Sequence, residues 1–199
     1  MRTVAARRPR LENDERRRQL LDLGLERFGA RAYDDVSIDD IAQAARISKG
    51  LLYHYFPTKR AFYAACVAEA AERVLAACTE AAGDAPPLER LDRALSAYLA
   101  YVQEHGPAYA NLMRSGVGVD RELTAIVDAT RAKFVEMLLA GISQTVPLTP
   151  LRKIALRGWV GLAEAATLAW AEDGARVSAR KMRGVLKSAL LAIVVDPVA

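Results

Sequence analysis

The chain has 199 residues, 52% hydrophobic and 26% charged, with a net charge of +4. That balance reads as a soluble globular protein of one large domain or two small ones, long enough for a proper core. No apolar run reaches membrane-spanning length, because Arg, Glu or Lys interrupts each one, and the arginine-rich start has no apolar signal core behind it. The expected location is therefore cytoplasmic, with no membrane partner.

The charge is uneven along the chain. Residues 1–60 carry 13 Lys and Arg against 9 Asp and Glu, whereas residues 61–199 carry 15 against 15. A basic head on a neutral body is the pattern of a protein that binds a polyanion. Residues 1–11, with Arg2, Arg7, Arg8 and Arg10 around Pro9, read as a flexible basic arm that either touches DNA or is a solvated tail. Asn13 is the expected cap of a first helix, with Asp14 and Glu15 in its first turn and Leu20, Leu21, Leu23, Leu25 and Phe28 on its apolar face.

The stretch from Val36 to Lys59 organises the rest. Ser37 is placed to cap a short helix, with Asp40 three residues on, and Ile38, Ile41, Ala42 and Ala45 share one face. After a turn at Arg46 and Ile47, Ser48 caps a second short helix whose buried stripe is Leu52 and Phe56. Its outward face, Lys49, Gly50, Leu51, Tyr53, His54 and Tyr55, is short, aromatic and basic, as suits a helix entering a DNA major groove.

This segment resembles the helix-turn-helix of the TetR family of transcriptional regulators, and the Leu51-Leu52-Tyr53-His54-Tyr55-Phe56-Pro57-Thr58-Lys59 run closely matches that family's signature. The resemblance is strong from Asn13 to Tyr63 and beyond that is one of length and helical layout. It implies that Ser37 and Ser48 bond phosphates and that Lys49, Gly50 and Leu51 face base edges. It also implies that Tyr53, His54 and Tyr55 reach phosphates, with Lys59 outside them. The other reading makes Tyr53 and Tyr55 partly core, and it is stronger for Tyr55 than for Tyr53. Ala32 and Arg46 stand where the family usually has glycine, at two expected helix ends where a left-handed residue is common.

The fold class that follows is all-α, with about nine helices. A three-helix DNA-binding domain over 12–58 leads into a helical ligand-binding and dimerisation bundle over 59–199. In the bundle, helices are expected over 57–82, 88–104, 108–114, 121–142, 150–173 and 178–194. Pro57 falls in the first turn of the first of these, and His105-Gly106-Pro107 ends the second. Cys66 and Cys78 lie twelve apart on one helix, about 18 Å, which reads as reduced core thiols; redox sensing is the alternative.

The resemblance implies a small-molecule site in the bundle, for which Tyr98, Tyr101, Tyr109, Met113, Arg114, Phe134 and Trp159 are candidates, each of which taken singly reads more readily as an ordinary core residue. The last two helices carry more apolar surface than one body needs. Trp159, Leu162, Ala166, Trp170, Val185, Leu186, Ala189 and Ile193 are the expected homodimer interface. No glycine-rich phosphate loop, metal cluster or nucleophile motif is present, so neither an enzyme nor a cofactor nor a metal is expected. The expected partners are a double-stranded DNA operator and a small, apolar effector that releases a dimeric repressor; the repressor role rests on the resemblance alone. The alternative is a non-specific architectural DNA binder, which the small net charge and neutral body argue against.

Overall fold

Apolar residues recur at helical spacing along the chain, and in the computed structural model they form eight α-helices with no strand among the described residues. The structure describes residues 8–114, 120–174 and 176–195, with side chains for 13–105, 120–174 and 176–195. The helices are α1 (Arg8–Ala30), α2 (Ile38–Ala44), α3 (Lys49–Tyr55), α4 (Lys59–Ala82), α5 (Pro87–Arg114), α6 (Arg121–Ile142), α7 (Pro150–Glu172) and α8 (Ala179–Val195). Helices α1 to α3 form the head and α4 to α8 the body.

Four local expectations need correction. Helix α1 starts at Arg8, so the expected arm is helical from that residue; Pro9 falls in the first turn, where its missing N–H costs nothing, and Asn13 is exposed inside the helix rather than capping it. Residues 1–7, with Arg2 and Arg7, lie outside the described residues. Helix α4 starts at Lys59, with Thr58 as its cap accepting from the Ala61 N–H at 3.0 Å, so Pro57 precedes the helix. Ala32 is extended (φ −60°, ψ 150°), and the chain leaves α1 through a 3-10 turn at Tyr33–Asp35 without a left-handed residue. Helix α5 runs unbroken through Gly106 and Pro107, which reduces the expected nine helices to eight. A proline there removes one backbone hydrogen bond, but α5 is packed by α1, α4, α7 and α8, and that packing holds the helix together.

The head is built from short-range signals. The Ser37 hydroxyl oxygen accepts from the Asp40 N–H at 3.3 Å and opens α2, and the Ser48 oxygen accepts from the Leu51 N–H at 3.1 Å and opens α3. Between them, Ile47 N–H bonds Ala42 C=O and Arg46 N–H bonds Gln43 C=O, both at 3.0 Å, with Arg46 at φ +55°. That is the 6→1 and 5→2 pairing of a Schellman motif, with arginine in the left-handed position that glycine usually holds.

The core joins head to body. Phe28, Leu52 and Phe56 of the head pack with Phe62 and Tyr63 of α4, all buried, and the cluster continues through Val67, Leu99, Val102 and Leu156. Each such side chain contributes about 1.5–3 kcal/mol by leaving water. Arg152 is buried in the first turn of α7. It donates to the carbonyls of Pro147 (2.5 Å) and Ile193 (3.5 Å), tying the start of α7 to the end of α8.

Gly24 marks the closest approach of α1 to α4. A Cβ there would lie 2.5 Å from Cys66 Sγ and 2.6 Å from Phe62 Cζ, both in buried side chains that cannot swing away. Gly24→Ala is expected to destabilise the fold by about 1–3 kcal/mol despite alanine's better helix propensity, read as a lower midpoint in urea unfolding.

Candidate DNA-reading head and body cavity

Helix α3 has only seven residues, so one face must hold it while the other reads. Leu52 and Phe56 are fully buried, and the Arg17 guanidinium of α1 lies 5.4 Å from the Phe56 ring centroid. On the opposite side Ser48, Lys49, Gly50, Leu51 and His54 are exposed, with Leu51 at 39%. Tyr53 and Tyr55 are half-buried and pack on the core edge, so each serves the core and the surface at once. Ser37 is half-buried beside them, and each capping serine keeps its O–H hydrogen for an outside acceptor.

Two lysines behave differently from a freely extended cation. Lys49 Nζ donates to Asp39 Oδ2 of α2 at 2.9 Å, and that bond and charge push its ammonium above the ordinary lysine value. Lys59 Nζ donates to the Asp34 carbonyl at 3.3 Å and sits 4.6 Å from the Tyr33 ring centroid. It clamps the loop before α2, a role that its place beside the α4 terminus did not suggest.

The body contains a cavity of about 190 Å³ between α4, α5, α6, α7 and α8. Ala71, Val74 and Cys78 of α4, Leu91, Leu95 and Tyr98 of α5, and Val127, Phe134 and Leu138 of α6 form most of its wall. Trp159, Ala163 and Leu190 complete it from α7 and α8. Of the expected pocket residues, Tyr98, Phe134 and Trp159 line this cavity. Tyr101 does not: its hydroxyl donates to the Ala70 carbonyl at 3.3 Å and its ring lies 4.4 Å from His105. The side chains of Tyr109, Met113 and Arg114 lie outside the described residues. Leu88 is 59% exposed at the cavity's edge.

Of the wall's polar members, Tyr98 and Trp159 were expected, whereas Arg90, Arg131 and Glu164 were not. Arg131 of α6 grips Glu164 of α7 with two hydrogen bonds, 2.7 and 2.9 Å, and also donates to Asp128 at 2.9 Å. Tyr98 and Thr167 share a 2.8 Å hydroxyl contact, and Thr167 donates to the Ala163 carbonyl. Both cysteines are free and buried; burial raises both thiols, Cys78 to about 12, so neither carries thiolate character.

The expected dimer residues divide by burial. Trp159, Trp170 and Leu186 belong to the protomer's own interior: Trp159 Nε1 donates to Leu186 O at 2.9 Å and Trp170 Nε1 to Val177 O at 2.7 Å. Leu162 and Val185 are exposed, at 46% and 63%, whereas Ala166, Ala189 and Ile193 are half-buried. Leu151 and Ile154 extend the exposed apolar stripe of α7, and a Cβ on Gly158, Gly161 or Gly184 would meet nothing within 4 Å.

The first turn of α4, next to the reader, is also tied to α6 by charge. Arg60, in the first turn of α4, donates from Nε to Asp120 Oδ2 (2.6 Å) and from Nη2 to Asp120 Oδ1 (2.8 Å). Asp120 is itself the cap of α6, accepting from the N–H groups of Glu122 and Leu123.

Two family models match the chain. One, "Bacterial regulatory proteins, tetR family", covers residues 20–66, and the other, "Tetracyclin repressor-like, C-terminal domain", covers residues 87–192. The chain belongs to the TetR family. TetR-family proteins are DNA-binding transcriptional regulators with a helix-turn-helix, not an enzyme class. The HTH-type transcriptional activator FasR of Mycolicibacterium smegmatis is 28% identical over 119 residues, 59% of this chain and 54% of that protein. The transcriptional regulator AcuR of Cereibacter sphaeroides is 32% identical over 124 residues, 60% of this chain and 54% of that protein. The chain thus spans about half the length of the curated relatives it matches. A TetR-family regulator from Streptomyces coelicolor superposes with a TM-score of 0.79 at 36% identity, over 90% of this chain and 80% of that chain. A TetR-like regulator from a Rhodococcus species gives 0.71 at 26% identity, over 89% and 94%. Among the described residues there is no group of three metal-ligating side chains, and no helix long and apolar enough to cross a membrane.

The Arg60 hydrogen bonds, with help from the two backbone N–H groups, hold the Asp120 carboxyl down at about 2. A depressed carboxylate adds stability above the ordinary value near 4 and loses it as pH falls toward 2. Asp120→Asn keeps a good helix cap but removes the charge. The variant is expected to melt below wild type at pH 7, with the gap closing between about pH 4 and pH 2, in thermal unfolding followed across pH.

Proposed function

We propose that this TetR-family chain is a homodimeric repressor in the cytoplasm that binds a palindromic operator and is released by a small, largely apolar effector held in the body cavity. The observation that carries this reading is shared use of α4: its first turns pack on the reader, and its Ala71, Val74 and Cys78 form the cavity wall. An effector releases DNA only if it binds the released geometry more tightly than the DNA-bound one. Equal affinity of an effector for free and operator-bound dimer would refute release. One relative bears the name of an activator. In a reporter carrying the operator, the proposed repressor lowers expression without effector and restores it with effector.

In the reader, Lys49, Gly50 and Leu51 are assigned to base edges, with Lys49 donating to guanine and Leu51 meeting a thymine methyl. Ser37, Ser48, Tyr53, His54 and Tyr55 are assigned to phosphates. Lys49 must give up Asp39 to reach a base, so its ion pair competes with DNA. Lys59 is assigned to holding the loop, with phosphate a second use. Selection from a random duplex pool is expected to return a palindrome with half-sites about 34 Å apart or a multiple of that. Tyr53→Ala should then weaken every site alike, and Lys49→Ala should also relax base preference by about 1–3 kcal/mol at one position. Identical selection profiles for the two variants would contradict these roles, and recovery of no motif would favour a non-specific binder.

The two-fold partner is assigned to the outer faces of α7 and α8, where Ile154, Leu162 and Val185 are exposed and the open Gly158, Gly161 and Gly184 let helices approach closely. Ile154→Lys combined with Val185→Lys should give a folded monomer by light scattering. Its operator affinity should fall by about 100-fold or more, because one short reader touches too few bases.

A further inference from the structure

The cavity wall carries three charged side chains, and two of them are spoken for. Arg131 and Glu164 neutralise each other through paired hydrogen bonds, with Asp128 as a further partner of Arg131. The third, Arg90, is half-buried in the first turns of α5 and has no hydrogen bond or ion pair from its side chain among the described residues. Its neighbour Leu88 is exposed, which places Arg90 at the edge where the cavity meets solvent. Elsewhere on the wall the polar groups are engaged within the protein: Trp159 Nε1 donates to Leu186 O, the Tyr98 hydroxyl meets that of Thr167, and the Thr130 and Thr145 hydroxyls donate to Ile126 O and Ile142 O. Between Arg90 and Tyr98 the lining from α5 is Leu91, Ala94 and Leu95, faced by Val74, Cys78 and Phe134. Those two positions are eight residues apart on α5, about 12 Å along its axis.

A wholly apolar guest would cover Arg90 and leave a desolvated cation without a partner, which is costly. A guest with an acidic end would supply charge-assisted hydrogen bonds there, and the interior asks for nothing polar beyond it. We propose that the cavity takes an amphipathic anion, its acidic head on Arg90 at the mouth and an apolar body about 12 Å long directed toward Tyr98 and Trp159. This rests on the reading of the cavity as the effector site and names the chemistry of what enters it.

The test is calorimetric titration of the full chain with decanoate, 1-decanol and decylamine, each below its aggregation concentration. Wild-type protein is expected to bind decanoate about tenfold or more tighter than either other probe, the scale of one charge-assisted hydrogen bond. In Arg90→Gln the preference for the acid over the alcohol should collapse toward onefold while 1-decanol binds as before, which also shows that the variant is folded. Equal binding of acid and alcohol by wild type, a preference that survives Arg90→Gln, or binding of neither probe would each overturn the proposal. Repeating the decanoate titration on operator-bound dimer separates the two readings. Arg90-dependent binding of equal strength with and without operator would uphold the amphipathic anion and overturn its role as effector.

Discussion

The molecule depends on the aromatic weld at the start of α4. Phe62 lies 4.7 Å from Phe56 and 5.7 Å from Phe28, centroid to centroid, and Tyr63 lies 4.9 Å from Phe28 and 5.1 Å from Tyr33. These rings come from α1, the loop after it, the end of α3 and α4, so the reader cannot turn without carrying α4 with it. Gly24 lets α1 come close enough for this, and the Arg73–Asp22 ion pair repeats the tie farther along. Helix α4 has 24 residues, about 36 Å, and so extends the rigid head well into the body. The cavity wall begins at Ala71, halfway along it.

What was legible in the sequence is what short-range physics decides. The caps at Ser37 and Ser48, the buried Leu52 and Phe56, and the left-handed Arg46 each follow from a few neighbouring residues, and all are found. Ala32 is the counter-example, because two geometries can end a helix and the choice of a 3-10 exit rests on the packing of Tyr33 against Phe28. At Gly106-Pro107 the local breakers were expected to end the helix, but α5 continues through them, packed by α1, α4, α7 and α8.

The body was harder to read for a different reason. Helix α7 is apolar around most of its circumference, so periodicity cannot say which face meets its own protomer and which lies outside. The indole N–H groups decide it, since Trp159 and Trp170 each find a backbone carbonyl inside the protomer and Leu162 does not need one. The Arg131–Glu164 pair spans 33 residues of sequence on two helices, so no spacing rule links them. Arg90 was passed over because its importance lies in what it lacks, which only a folded neighbourhood reveals.

Among the described residues, ion pairs tie three pairs of the helices that enclose the cavity, and they differ in exposure. Between α6 and α7, Arg131 holds a Glu164 that is only 16% exposed, with both oxygens engaged. Between α5 and α8, Asp92 is shared by Arg183 and Lys187, which together hold its carboxyl below the ordinary range. Between α4 and α6 the tie is Arg60–Asp120, in which Arg60 is more than half exposed but the Asp120 carboxylate is only 19% exposed. An exposed ion pair loses little when water replaces one partner, whereas parting a buried carboxylate from its arginine leaves a charge uncompensated. Glu164 and Asp120 are both largely covered and gripped through both oxygens, so the α6–α7 and α4–α6 seams resist opening more than the α5–α8 seam, where Asp92 is 34% exposed. The α4–α6 tie fixes α6 to the helix to which the reader is welded, so movement of the cavity wall there is carried toward the head.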